Sequence, residues 1–381
     1  MNFDLSDEQV LLREAARDAL SRVRTVEAAR AALEGGELPD LWPTATQAGW
    51  TGLLVDDAHG GAGLGAIDAM LVTAEAGRVL ASVPLLGHLP ATAILAAGGL
   101  DDATLGKLAS GELRAAYVPA RPGDDLSPAW TAEPRSGRRR APAPQVARGD
   151  EGLATVDGTV SWVPDAVGAD VLVVVGVEGG APVAVALGPD AEGVSVEAAA
   201  GVYDATRPLG HVTLENACGR VLAAGEDALR RAWHLAHALI AAESLGAVEE
   251  CLQRSVAYAK ERYTFGRPIG SYQAIKHALT EVLRRQENTR SLLYYAGWAY
   301  DSQPSEFAAA ASAARAAGGA ALDFAARELI SVHGGIGATW EHDAPLFFRR
   351  AQLSRRLLGG TGDAVDRLAG ELLGGATPIA A

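Results

Sequence analysis

The chain has 381 residues, 49% of them hydrophobic and 21% charged, with a formal net charge of −14 at pH 7. This composition excludes global disorder, and the length exceeds what one hydrophobic core usually organises, so more than one packed unit is expected. The negative balance argues against nucleic acid or an anionic membrane as the main partner, while leaving room for a local basic patch. Two cysteines, Cys218 and Cys251, supply neither a disulfide framework nor a structural zinc set, which fits a reducing compartment. The start of the chain is acidic where a secretory signal is basic, and apolar runs such as 171–177 are too short to span a bilayer, so a cytoplasmic protein with no membrane span is expected.

From Ser6 the pattern is helical: Ser6 and Gln9 fit a capping box, and Val10, Leu11, Ala15, Ala19 and Leu20 recur at helical spacing. Helix-like segments broken by Gly and Pro continue to about Glu112, giving a helical domain over 1–112. The glycines of His59-Gly60-Gly61-Ala62-Gly63-Leu64-Gly65 lack the strand, helix opening and later acid of a dinucleotide fingerprint, so this break reads as a turn. A Pro-, Gly- and Arg-rich stretch, 121–150, including Arg138, Arg139 and Arg140, reads as an exposed loop or linker with a solvated charge run. Short β-like runs follow at 159–163, 171–177, 183–187, 194–197 and 211–214, and their spacing predicts a small antiparallel sandwich or barrel, with the β domain spanning 113–222. The helical period returns near Glu226. Segments 228–261, 272–300 and 307–332 are long enough for an antiparallel bundle over 223–381. The fold expected is mainly α with a β middle domain, in the order helices, strands, helices, with no βαβ alternation and so no Rossmann sheet.

The sharpest motif is Arg262-Tyr263-Thr264-Phe265-Gly266-Arg267-Pro268-Ile269-Gly270-Ser271-Tyr272-Gln273, which crosses from one long helix to the next. Arginine offers a fork of donors to a pyrophosphate, glycines let backbone come close, and a helix start presents free N–H groups. The same residues suit a tight interhelical turn capped by Ser271. A second loop, Ser331-Val332-His333-Gly334-Gly335-Ile336-Gly337, follows an Ala-rich helix, where glycine can simply end the helix.

Taken together, the two loops resemble the acyl-CoA dehydrogenase family. Its Arg-x-x-Phe-Gly-x-Pro-Ile pattern followed by Phe/Tyr-Gln is matched at Arg262, Phe265, Gly266, Pro268, Ile269, Tyr272 and Gln273. Its late glycine loop resembles His333 to Gly337 with the following Trp340-Glu341-His342-Asp343. Ser6-Asp7-Glu8-Gln9 and His59-Gly60-Gly61 also sit where the family has similar text. The resemblance implies a helical N-terminal domain, a β sandwich or barrel, and a C-terminal four-helix bundle through which subunits pair as a tetramer. It implies FAD as cofactor, an acyl-CoA thioester as substrate and an electron-transfer flavoprotein as acceptor. It also implies that Arg262, Phe265 and Gln273, with Ser331, Gly334 and Gly335, reach a flavin lying mainly in the neighbouring subunit, and that Trp162 flanks the flavin ring. In the family reaction a glutamate takes the α proton while the β hydrogen leaves as hydride to the flavin.

The departures share a direction. Where the family most often carries its catalytic glutamate, this chain has Leu358 or Gly359, and the alternative position on the long helix falls near Ala236. Glu243, two helical turns further on, is the nearest carboxylate on roughly that face; it reads either as a catalytic base or as an interhelical ion pair, and Asp363 is a further candidate. His234 and His237 lie one turn apart without a clear third ligand, so packing histidines are expected and no metal. The family's Thr-Glu-Pro becomes Ala120-Arg121-Pro122-Gly123, and Trp-Ile-Thr becomes Trp162-Val163-Pro164; alanine has no hydroxyl and proline no N–H. Ser331 stands where a glutamine is frequent. Elements holding flavin in the same subunit are eroded, and those reaching into a neighbour are kept. Three readings follow: a dehydrogenase subunit, homo-oligomeric or completing the flavin site of a related partner in a heterotetramer as in steroid side-chain breakdown; a non-catalytic scaffold or regulatory member; or an oxidase or flavin monooxygenase variant.

Overall fold

The computed structural model describes residues 4–119, 131–132, 140–201 and 203–373. Residues 120–123 and 138–139, singled out in the sequence, lie outside them.

Six helices open the chain: α1 (Asp7–Ser21), α2 (Thr25–Leu33), α3 (Trp42–Gln47), α4 (Ala66–Arg78), α5 (Leu85–Ala97) and α6 (Asp102–Ser110). The Ser6 hydroxyl accepts from the Gln9 N–H at 3.2 Å while the Ser6 N–H donates to Gln9 Oε1 at 3.1 Å, the reciprocal box that starts α1. The His59 break is a turn packed on its own chain: a Cβ on Gly61 would lie 2.0 Å from the Val55 carbonyl oxygen, so only glycine fits.

The strands are β1 (Ala115–Val118), β2 (Thr131–Ala132), β3 (Arg140–Ala141), β4 (Gln145–Arg148), β5 (Leu153–Pro164), β6 (Val171–Glu178), β7 (Ala181–Leu187), β8 (Val194–Ala198) and β9 (Leu209–Val221). Strands β6, β4, β5, β9 and β7 pair in that order and β7 returns to β6, closing a barrel; β1 adds beside β6, and β8 beside β9. The sheet departs from the antiparallel arrangement expected, because β1 and β4 each run parallel to β6. Strand β4 also lies inside the stretch expected to be loop, where only Val146 of its four residues is buried.

The rest is helical: α7 (Glu226–Glu261), the hairpin strands β10 (Tyr263–Thr264) and β11 (Arg267–Pro268), α8 (Gln273–Ser302), α9 (Pro304–His333), α10 (Ala344–Ser354) and α11 (Gly360–Leu372). Helix α7, about 54 Å long at 1.5 Å per residue, is buried at every residue over 232–248, mostly apolar but with His234, His237, Glu243 and Ser244 among them, which makes it the central rod. Glycines let α4 cross it backbone to backbone: a Cβ on Gly246 would sit 1.7 Å from the Ala74 oxygen. Helices α8 and α9 flank α7, and α10 and α11 pack on α9. One core fills the barrel and its contact with α5 and α7, and a second joins α4, α5 and α7–α9. Among the described residues no helix is long and apolar enough to cross a membrane.

Candidate functional site

Residues 262–273 fold as a hairpin at the C-terminal end of α7. Tyr263 and Thr264 pair with Pro268 and Arg267, and φ is positive at both Phe265 (50°) and Gly266 (78°), as a two-residue type I′ loop needs. The Ile269 N–H donates to the Arg262 carbonyl at 2.8 Å, closing the base. The Arg267 guanidinium stacks on Tyr272 at 4.2 Å, and the Tyr272 hydroxyl donates to the Thr264 carbonyl at 3.1 Å. Ser271 is not the helix cap: Tyr272 takes the N-cap position, the Ser271 hydroxyl donates to Pro268, and no side chain caps the first turn of α8. That leaves orphan N–H groups at a helix start, a natural anion site. Phe265 at the tip is 98% exposed, and Arg262 and Gln273 are exposed beside it.

The glycine loop lies at the same end. The Tyr258 ring, one turn before Arg262, stacks on His333 with centroids 4.2 Å apart. Gly334 has φ 64° and ψ −139°, a backbone only glycine adopts readily, and a Cβ on Gly334 or on Gly335 would meet nothing within 4 Å. This is an open stretch of backbone that another molecule can approach closely. Ser331 is exposed one turn earlier, and Ile336 and Trp340 expose 53% and 60% of their surface.

Trp162 is not brought to these loops. It sits at a bulge in β5 with φ 62°, edge-on to His211 at 4.8 Å, and packs into the core that holds Leu235, Leu239 and Leu357. Leu235 precedes Arg262 by 27 residues of α7, roughly 40 Å along the helix.

Glu243 does not stand free as a base. It is buried, and its Oε1 is held by Arg207 and, at 2.9 Å, by Arg350 Nη1. Arg350, fully buried, also contacts Asp204 at 2.7 Å and donates to Thr206 Oγ1 at 2.6 Å and to the Leu80 carbonyl at 3.3 Å. The carboxylate belongs to a buried ion cluster of Arg207, Asp204, Glu243 and Arg350 that ties α7 to α10 and to the β8–β9 connection, with the Leu80 carbonyl joining it from the N-terminal helices. Leu358, with φ 51°, packs between the two large cores, and its carbonyl is held by His237 Nε2 at 2.9 Å. Ala236 is fully buried, and Asp363 lies in the first turn of α11. His237 tilts against Trp233, and among the described residues no group of His, Cys, Asp and Glu is placed to hold a metal.

A cavity of about 560 Å³ opens at the other end of the bundle, between α5, the start of α7, the junction of α8 and α9, and α11. Its charged lining is mixed, Arg230, Arg231 and Arg367 with Asp227 and Glu371, beside His234 and Ser305, and its apolar side includes Ala93, Ala232 and Phe307; Arg230 pairs with Glu226 and Asp227, and Arg367 with Glu371. Arg231 lies over the Tyr300 ring at 3.7 Å and donates to the Tyr300 carbonyl at 2.7 Å, which fixes its charge in place. Such a cavity, part apolar and part charged, suits an amphiphile.

Two domain families match the chain: the acyl-CoA dehydrogenase N-terminal domain over residues 6–119 and the acyl-CoA dehydrogenase C-terminal domain over 224–370. Acyl-CoA dehydrogenase IpdE2 of Mycobacterium tuberculosis is 31% identical over 377 residues, covering 96% of this chain and 98% of the relative. The solved Tcur3481–Tcur3483 steroid ACAD superposes with a TM-score of 0.84 at 27% identity, over 97% of this chain and 98% of the other. The ChsE4–ChsE5 complex of Mycobacterium tuberculosis gives a TM-score of 0.84 at 24% identity over 100% of each chain, a likeness of fold.

Proposed function

This chain belongs to the acyl-CoA dehydrogenase family, and we propose that it acts as one subunit of an FAD-dependent acyl-CoA dehydrogenase, completing a flavin site with a related partner subunit that carries the base. The observation that carries this reading is the pairing of two facts. The hairpin and the glycine loop sit together, exposed, at one end of the bundle, while the positions where the resemblance would put a base fall at Leu358 or Gly359 and near Ala236, none of them acidic. The relative solved as a ChsE4–ChsE5 complex is an assembly of two different chains, which is the arrangement proposed here.

The residues present fit the cofactor. Arg262 would face a pyrophosphate, the uncapped start of α8 would add N–H donors beside Gln273, and the side-chain-free backbone at Gly334 and Gly335 would let it lie close. FAD, when bound, supplies the acceptor for the β hydrogen as hydride. This chain's own part is to bind, to orient and to exclude water with Phe265 and Trp340. The cavity at the other end of the bundle would take part of the thioester, with Arg231, held over Tyr300, as the cation toward a phosphate. An electron-transfer flavoprotein would take up the electrons.

The test is the visible spectrum and mass of the protein alone and after co-expression with a related acyl-CoA dehydrogenase subunit. A colourless chain that turns yellow only in a mixed tetramer, and is bleached by an acyl-CoA under anaerobic conditions, is the expected outcome. A homotetramer with full flavin sinks the half-site reading. Failure to hold flavin with any partner favours the scaffold reading, which the loss of the base also supports. Rapid reoxidation by oxygen with hydrogen peroxide release or substrate oxygenation favours the oxidase or monooxygenase variant.

A further inference from the structure

Three aromatic rings lie in series where the two loops meet. Tyr258, near the end of α7, stacks on His333 at 4.2 Å and 28°, and His333 packs on His342 at 4.4 Å and 46°. Each ring belongs to a different piece of chain: Tyr258 precedes the hairpin by one turn, His333 ends α9 immediately before Gly334, and His342 closes the glycine loop before α10. The two histidine rings are also fixed by hydrogen bonds. His333 Nδ1 lies 2.8 Å from the Leu329 carbonyl and so carries its proton there, while His342 Nδ1 accepts the Ala344 N–H at 3.1 Å and caps a helix start that Asp343 leaves without a side-chain cap. The hairpin in turn rests on α7 beside Tyr258, since a Cβ on Gly270 would lie 2.9 Å from the Ala259 oxygen.

Charge braces this stack on one side. Asp343 is gripped by Arg30 from α2 and, at 2.6 Å, by Arg254 from α7, and Arg254 is itself held by Glu250 at 2.7 Å. The position of the glycine loop is therefore defined relative to α7 through these three rings and the Asp343 clamp, whereas its outer face, with Ile336 and Trp340, is exposed.

We propose that the Tyr258–His333–His342 stack is the joint that sets the hairpin and the glycine loop in register with one another, making these three positioning residues for the flavin-facing end of the bundle. This rests on the reading of those loops as a flavin half-site. Its mechanical part is measurable on the chain without flavin. If the rings couple the loops, removing either outer ring frees both loops; if the stack only fills space, loss of one ring disturbs its own helix.

The experiment is amide hydrogen exchange on the full chain, comparing wild type with Tyr258→Phe, Tyr258→Leu and His342→Asn. Tyr258→Phe keeps the stacked ring and is expected to exchange like wild type. Tyr258→Leu removes it and is expected to speed exchange roughly fivefold in both 263–272 and 334–343, as loss of one aromatic contact would, with 232–248 unchanged. His342→Asn retains an acceptor for the Ala344 N–H but not the ring, and is expected to free the glycine loop and, more weakly, the hairpin; it also decides the matter if Tyr258→Leu does not fold. Unchanged exchange in either loop, or faster exchange spread along α7, overturns the joint. Co-expression with the partner subunit then separates the two ideas. If wild type never retains flavin while the exchange pattern appears as stated, the half-site reading falls and the joint stands. If wild type retains flavin and Tyr258→Phe matches it while Tyr258→Leu loses it, both stand.

Discussion

Replacing Arg350 with alanine is the sharpest test of the packing described above. One buried guanidinium spans all three parts of the chain, contacting Asp204 at 2.7 Å, Glu243 at 2.9 Å, Thr206 Oγ1 at 2.6 Å and the Leu80 carbonyl at 3.3 Å. Its loss leaves Glu243 in direct contact with Arg207, with Arg315 acting only through space, and Asp204 bonded to Thr206, both carboxylates buried. Breaking a buried pair from one side costs about 3–5 kcal/mol because an uncompensated charge stays behind. Stranding the Leu80 carbonyl adds about 1 kcal/mol or more. Arg350→Ala should therefore lose about 4–6 kcal/mol, a large fraction of a typical total stability, and drop the melting temperature by roughly 5–8 °C for a chain of this length unfolding cooperatively. The assay is thermal unfolding by circular dichroism, joined to limited proteolysis of the β8–β9 connection at 199–208, which should become the first site cut. The double substitution Glu243→Met with Arg350→Met should be less damaging than the sum of the singles, because it removes charges of both signs together. A melting shift under about 2 °C, or an additive double, refutes the reasoning. Glu243→Gln adds a direct check on the base: if it abolishes turnover in the mixed assembly while leaving stability untouched, the carboxylate is catalytic after all.

Other outcomes follow from single features. His88 is fully buried, donating from Nε2 to Thr51 and accepting the Ala115 N–H at Nδ1, and burial pushes it down to about 4. The folded form thus resists protonation, so stability is complete above about pH 6.5 and is lost as the solution falls toward pH 4, by about 2 kcal/mol between pH 7 and pH 5 in urea titrations; a flat profile there contradicts the assignment. Phe265→Ser should leave the chain's own stability within about 0.5 kcal/mol, since the side chain is 98% exposed, yet weaken assembly with the partner in sedimentation. Gly334→Ala forces a side chain into a region that costs about 1–3 kcal/mol and should lower flavin retention more than melting temperature. Arg231→Gln should raise the KM for an acyl-CoA roughly tenfold with little change in the pH dependence of turnover.

What could be seen in advance depended on whether a residue's role was local. The capping box at Ser6 and Gln9 and the long helices α7 to α9 announce themselves because periodicity is a short-range property, and their ends moved by only a few residues. Strand β4 was hidden because Gln145–Arg148 exposes three of its four side chains inside a Pro- and Arg-rich stretch, and its parallel contact to β6 joins residues 32 apart. The Arg262 hairpin was legible as a motif, but not that Phe265 would stand wholly in solvent. Glu243 illustrates the limit most clearly. Its apolar neighbours flagged it, and its partner Arg350 lies 107 residues away with no pattern connecting them. The cavity arginines were equally silent, since Arg230, Tyr300 and Arg367 meet only after three helices have closed.

The placement of Arg350 sets an order of events during synthesis. Asp204, Thr206, Arg207 and Glu243 all leave the ribosome more than a hundred residues ahead of it, so barrel and central helix can meet through Arg207 and Glu243 while the remaining acceptors are still hydrated. Only when α10 arrives does one side chain engage the Leu80 carbonyl, Asp204 and Glu243 together and expel that water. Nascent chains stalled before residue 350 should therefore remain open to protease at the barrel–bundle seam, and close to it abruptly once α10 has cleared the exit tunnel.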